Sequence, residues 1–313
     1  MLHTESARHS AQGTAMTRKS WLSEAWRRSW PVAAILLMIT VCWYAAAVWL
    51  NAPQVIERLS GVNPDWNWQD LVSAAWSMER PVIPAPHQIF ADFWSSLVDN
   101  DLDSPRNLIF HALVTLSATV LGFALGIALG VLIALGVVHN RVLDKGLLPW
   151  IIASQTVPAL AIAPMVVVVL GSMAVPPLVS KAVISMYLCF FPIAVGMVKG
   201  LRSPDRLQLD LMRTYSAGGA SVLAKLRLPS SVPFLFASAK VAIATSLIGA
   251  IVGELPTGAQ AGLGARLLQG SYFGQTVQIW SALLMASLLG VALVTMVSLT
   301  ESGVGRLMGA SRP

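Results

Sequence analysis

Thirty-one consecutive residues, Leu108 to Val138, contain no Asp, Glu, Lys or Arg. A helix needs only about 20 apolar residues to cross the hydrocarbon core of a bilayer. In that core no water reaches the backbone, so such a run must satisfy its own amides, which leaves the α-helix. Comparable runs recur at 31–50, 147–170, 176–198, 232–253 and 277–300. Charged residues make up 12% of the chain, about half the share usual in soluble domains. The expected fold class is therefore an all-α membrane protein with six transmembrane helices. The first run ends at Trp49-Leu50-Asn51 without a small-residue cleavage site, so it reads as a retained span and not as a signal peptide.

Charge decides the orientation. With the N-terminus inside, the inner segments carry five, two, six and two Lys or Arg, against three, one and one outside. The excess of positive charge puts both termini in the cytoplasm. The chain divides into a cytoplasmic tail (1–30), a first span (31–50), a periplasmic loop (51–107), a five-helix block (108–300) and a cytoplasmic tail (301–313). The net charge of +6 does not point to nucleic acid, because the basic residues sit in short loops beside apolar runs. Cys42 and Cys189 lie inside apolar runs and read as small hydrophobes. No metal or cofactor site is expected.

The loop at 51–107 holds eight acidic and three basic residues and four tryptophans, Trp66, Trp68, Trp76 and Trp94. These read as interfacial anchors or, alternatively, as a ligand platform. Ile89, Phe90, Phe93, Trp94 and Leu97 recur at helical spacing, which predicts an amphipathic helix on the membrane surface. In span two, Gly122, Gly126, Gly130 and Gly136 read as lining one face and inviting close approach of another helix. Pro149, Pro158 and Pro164 kink span three. Beside them Ser154, Gln155 and Thr156 form a polar cluster at membrane depth, either lining a path or bonding helices together. Tyr187 and Phe190 in span four are further candidates for the path.

Lys181 sits within snorkelling reach of the outer end of span four. Lys240 in span five either snorkels, pairs structurally or lines the path. Glu254 closes span five as the one carboxylate in any span, and joins the path candidates. The Gly-rich segment after it suits a re-entrant or tightly packed outer element. Its Gly262-Leu-Gly264 is no nucleotide fingerprint, because no strand and no acidic partner follow.

Between spans four and five stands a polar stretch, DLMRTYSAGGASVLAKLRLP, running from Asp210 to Pro229. It resembles the signature loop of permease subunits of ATP-binding-cassette importers, E-A-A-x3-G-x9-I-x-L-P. Asp210 falls on the Glu position, Leu211 and Met212 stand for the paired Ala, Ser216 stands for Gly, and Leu226, Leu228 and Pro229 close the pattern. Four further stretches resemble the nitrate/sulfonate/taurine branch of these permeases: PVIPAPHQIFADFWSSL (81–97), LGFALGIALGVLIALG (121–136), QTVPALAIAPMVVVVLG (155–171) and RLPSSVPFLFASAKVAIATSLIGAIVGEL (227–255). Departures are the longer loop at 51–80, the first half of the signature and the segment after Glu254.

The resemblance implies a bacterial inner-membrane permease with no enzymatic activity of its own. It would pair with a second permease copy, an ABC ATPase subunit and a periplasmic substrate-binding protein. A coupling helix centred on Arg213 to Ser221 would dock on the ATPase, carried by Asp210, Arg213, Thr214, Tyr215, Ser216, Ala217, Gly218, Gly219, Leu226, Leu228 and Pro229. The solute would be a small anion of the nitrate, sulfonate or taurine type, or a pyrimidine-type vitamin precursor. The rival class is a secondary transporter or stand-alone carrier, which would show repeats and an intramembrane carboxylate for ion coupling.

Overall fold

The computed structural model describes residues 3–62, 65–256 and 261–308, with side chains from Trp30 onward save positions 62 and 148. Residues 257–260 of the segment after Glu254, and 309–313 of the C-terminal tail, lie outside the described residues. The chain divides into two compact units, 1–90 and 91–313.

The first unit is built on α1 (His3–Val62) and α2 (Trp68–Trp76). The helix that hydropathy bounds at 31–50 runs further in both directions; its part long and apolar enough to cross a membrane is Trp30–Gly61. A capping box starts α2: Asp70 N–H donates to Asn67 Oδ1 at 3.0 Å, and Asn67 N–H donates to Asp70 Oδ2 at 3.0 Å. Leu71 and Ala75 of α2 pack against Val48 and Val55 of α1. Asn51 is fully buried and pins the next segment to α1. Its Oδ1 accepts from Val82 N–H at 2.7 Å, and its Nδ2 donates to Ile83 O at 3.0 Å. Trp43 donates to Pro84 O and Trp76 to Tyr44 O, so these two indoles are used internally. Trp49 and Trp68 stay exposed. The predicted amphipathic helix is α3 (Pro86–Val98).

The second unit centres on α4 (Leu108–His139), α7 (Pro177–Leu201) and α10 (Leu228–Glu254). Small residues let their backbones meet. A Cβ at Gly122 would strike Ser185, one at Gly126 would strike Cys189 Sγ, and one at Gly130 would come within 2.8 Å of Ile193. On the other flank of α7, a Cβ added at Gly196 or Gly200 would come within 2.6 or 2.8 Å of Ser238 or Ser231 of α10. Hydroxyls finish the junction. Ser185 Oγ meets Ser246 Oγ at 2.6 Å, and Ser246 Oγ donates to Thr119 O at 2.9 Å, which ties all three helices in one buried layer.

Around this triple lie α5 (Arg141–Ser154), α6 (Ala159–Ser172), α11 (Leu263–Tyr272) and α12 (Thr276–Leu307). Asn140 both ends α4 and caps α5, with its Oδ1 accepting from Val142 N–H at 2.8 Å. The stretch read as a single kinked third span is two helices, α5 and α6, bent by 97°. Pro158 removes an amide where the chain turns, and no side chain caps α6. Among the described residues five helices are long and apolar enough to cross a membrane, and six if the bent pair crosses as one. The sixth predicted span is α12, which extends to Leu307 and so takes in Glu301.

Candidate functional site

At one end of the bundle, after α7, the polar stretch folds into α8 (Arg206–Thr214), the one-turn α9 (Gly219–Val222) and a π-helical turn, Leu223–Arg227. Asp205 and Gln208 form a capping box that starts α8. The helix predicted around Arg213 to Ser221 is broken in its middle. Ser216 N–H donates to Arg213 O at 2.8 Å and Ala217 N–H to Met212 O at 3.0 Å. This pair of bonds is a Schellman closure, and it needs a left-handed residue between the helix end and Ala217. Ser216 fills that place with φ 51°, at a cost of about 1 kcal/mol relative to glycine. The resemblance has glycine at this position, and the geometry supplies the reason: that residue stops the helix.

Asp210 and Arg213 pair on the surface of α8 at 3.0 Å, and Thr214 Oγ1 donates to Asp210 O. Both ions are exposed, so the pair adds little stability. The apolar side chains of α8 are more telling. Leu207, Leu211 and Tyr215 stand one turn apart along the helix and are 78%, 57% and 77% exposed. Gly218 precedes α9, and Gly219 opens it with no neighbour within 4 Å of a Cβ there. Leu226 lies in the π turn, and Leu228 and Pro229 begin α10. Pro229 is therefore inside a continuous helical run from Gly219 to Glu254 and makes no corner. A residue without an amide interrupts the helical ladder, and the wide turn before it, with Leu228 N–H on Leu223 O, absorbs that interruption. Arg227 holds the turn to α7 by donating to Leu201 O at 3.4 Å.

Ser154, Gln155 and Thr156 lie at the 97° bend. Tyr187 Oη donates to Ser154 O at 2.5 Å, and the rings of Tyr187 and Phe190 stand 6.2 Å apart. These residues come together, with Gln155 and Thr156 exposed and every member uncharged. Lys240 does not join them. It pairs with Glu301 of α12 at 2.6 Å, each side chain 35% exposed.

Glu254 stands 14 residues further along α10, about 21 Å of helix axis from Lys240. It is fully buried. Its Oε1 lies 3.4 Å from Lys181 Nζ, so Lys181 is buried and paired where the sequence suggested snorkelling. Lys181 also donates to Ala261 O at 3.1 Å, and Thr115 Oγ1 lies 3.0 and 3.1 Å from the two carboxylate oxygens. Three successive amides at the start of α11 end on this cluster. Gly262 N–H donates to His111 Nδ1 at 3.0 Å, Leu263 N–H to Thr115 Oγ1 at 2.9 Å and Gly264 N–H to Glu254 Oε2 at 2.8 Å. The neutral His111 ring then offers Nε2–H to Pro105 O at 2.8 Å. Both glycines are obligatory. Gly262 has φ 124°, and a Cβ on either residue would strike Glu254. His111, Thr115, Lys181 and the glycine pair escape sequence reasoning because they are distant in the chain; the i, i+4 spacing of His111 and Thr115 is the one local sign.

Residues 126–304 match the family described as the binding-protein-dependent transport system inner membrane component. The chain is 32% identical to a probable ABC transporter permease protein of Haemophilus influenzae, over 67% of this chain and 83% of that one. It is 32% identical to a formylaminopyrimidine transport permease protein of Halalkalibacterium halodurans, over 70% and 83%. To a riboflavin transport system permease protein of Chloroflexus aurantiacus it is 29% identical, over 70% and 78%.

Proposed function

We infer the function from one premise: the chain belongs to the family of inner membrane components of binding-protein-dependent transport systems, and it is the permease of an ABC importer. Such a permease works with an ATPase and a substrate-binding protein. The finer assignments are ours. The end of the bundle that carries α8 lies in the cytoplasm with both termini, in a bacterial inner membrane, as the count of basic residues favours. There α8 and α9, with Asp210, Arg213 to Gly219 and the Leu226-to-Pro229 exit, receive the ATPase. This chain hydrolyses nothing itself. Two copies flank the path, because Gln155 and Thr156 stand open on a single chain and need a facing wall.

The solute is an uncharged, flat heterocycle of the pyrimidine type. One observation carries this reading: Lys181 and Lys240, the two lysines within the body of the spans, each face a carboxylate, and the residues gathered at the bend are neutral hydroxyls, an amide and two rings. A path for nitrate or a sulfonate would gain from a fixed cation, and these two are already neutralised. The relative that transports formylaminopyrimidine agrees with this choice. Cells expressing the complete importer, but lacking other uptake routes, should accumulate a radiolabelled aminopyrimidine and exclude taurine and nitrate. Accumulation of the anions alone would overturn the solute assignment.

Lys240→Met should leave uptake of that solute unchanged within about twofold, since a partly exposed ion pair contributes only about 0–1 kcal/mol. Initial rates measured at equal amounts of membrane-inserted chain check this. A loss of tenfold or more would return Lys240 to the path.

A further inference from the structure

Beyond neutralising Lys181, the buried cluster around Glu254 has no part in the assignments above. We propose that Glu254, Lys181, Thr115 and His111 form a latch, and that Glu254 is a positioning residue which holds α11 in the place solute transport requires. The proposal builds on the importer reading for its transport consequence only; the latch itself stands on geometry.

The construction is specific. Three acceptors from two helices, His111 and Thr115 of α4 and Glu254 of α10, take the three amides that begin α11. These are the amides that a helix leaves unpaired at its N-terminus. A carboxylate there is also favoured by the helix dipole. Lys181 of α7 holds the carboxylate from the other side and takes Ala261 O as well, so α4, α7 and α10 all grip one short segment. Nothing in this arrangement is replaceable by bulk packing alone, because Gly262 and Gly264 bring the backbone onto Glu254. Beyond the grip, α11 packs on α12 and ends in Tyr272 and Phe273, 79% and 66% exposed, before Gly274 turns the chain with φ 64°. The latch therefore fixes the aim of an exposed aromatic tip at the end of the bundle opposite α8.

Breaking one partner of a buried pair is far more harmful than removing both, because it strands a charge without water. That asymmetry supplies the test. Ala265, 2% exposed on α11, becomes the reporter as Ala265→Cys. Exposed Cys42 is replaced by Ser, and buried Cys189 remains as an internal control for the α4–α7 core. The full-length chain in native membranes is treated with a small maleimide. With the latch intact, Cys at 265 should be inert. Lys181→Met should raise its labelling rate roughly a hundredfold while Cys189 stays inert. Lys181→Met with Glu254→Gln should bring the rate back to within about tenfold of the intact latch, since a neutral pair strands no charge. Solute uptake should follow the same order: lost in the single variant, recovered in the double.

Should Cys189 react too, the milder Thr115→Val, which removes one acceptor and no charge, decides by the same readout. An inert Cys at 265 in Lys181→Met, or in Thr115→Val when that variant decides, would overturn the latch. The same holds for a double variant as reactive and inactive as the single one. Labelling that follows the latch while uptake stays normal in every variant would refute the positioning role. Because labelling needs no transport, failure of the importer reading would leave the accessibility result standing and is distinguishable from failure of the latch.

Discussion

Gly126→Leu is expected to prevent α4 and α7 from seating and to leave little folded chain in the membrane. At this position even a methyl group would overlap Cys189 Sγ, and Cys189 is itself fully enclosed. Relief by sliding is blocked one turn away on either side, where Gly122 lies on Ser185 and Gly130 on Ile193. Relief by moving α7 is blocked too, because the other face of α7 meets α10 through Gly196 and Gly200. Four added carbons then have nowhere to go. A penalty of about 3 kcal/mol or more follows, the upper end for overpacking. Membrane helices gain little from the hydrophobic effect when they associate, so the packing lost here is most of what held the pair together. The control is Gly303→Leu in α12, where no atom lies within 4 Å of a Cβ. The fraction of chain remaining monodisperse in detergent after graded heating should fall sharply for Gly126→Leu and hardly move for Gly303→Leu. Equal retention in both would mean that the glycine face does not carry the fold.

Much of this architecture is written locally in the sequence. Apolar run length gives five of the six predicted spans as single long helices, because the bilayer imposes a minimum helix length regardless of tertiary contacts. The four-residue repeat of Gly122, Gly126 and Gly130 gives the face on which α4 meets a neighbour. Elements whose cause is local but subtle are harder to read. The helix α2 starts from an Asn67–Asp70 capping box hidden in an acidic, Trp-rich stretch. The break in the polar loop depends on one residue, Ser216, whose left-handed backbone no composition rule predicts for serine. Three prolines announce a bend between α5 and α6 without fixing its 97° angle, since neighbours decide where freed carbonyls turn. The Glu254 cluster is the extreme case. Gly262 finds His111 across 151 positions of sequence, and a lysine that reads as free to snorkel is instead buried because a carboxylate from another helix comes to meet it.

Leu211→Asp should abolish solute uptake while leaving the chain itself intact, which makes it the counterpart of the glycine substitution. On α8, Leu207, Leu211 and Tyr215 form an exposed apolar line. The helix gains nothing from that line within this chain, since α8 has no buried residue at all. An exposed side chain of this kind changes stability by only about 0.5 kcal/mol when replaced, so insertion and heat resistance should hold and Cys189 should stay inert to maleimide. Against an ATPase surface the same change buries an unpaired carboxylate at the centre of the contact. Losses at such anchoring positions are about 2 kcal/mol or more, roughly thirtyfold in affinity. Gly219→Glu, at the start of α9 and free of neighbours in the chain, should act in the same direction. The readouts are ATPase subunit recovered with the tagged chain from solubilised membranes, and uptake in intact cells; both should fall together by at least about tenfold. Full recovery of the ATPase with Leu211→Asp would move the docking surface off α8. Full recovery with uptake lost would keep α8 in the assembly and make it a transmitter of motion rather than an anchor, because the contact would survive and only its mechanical consequence would be missing.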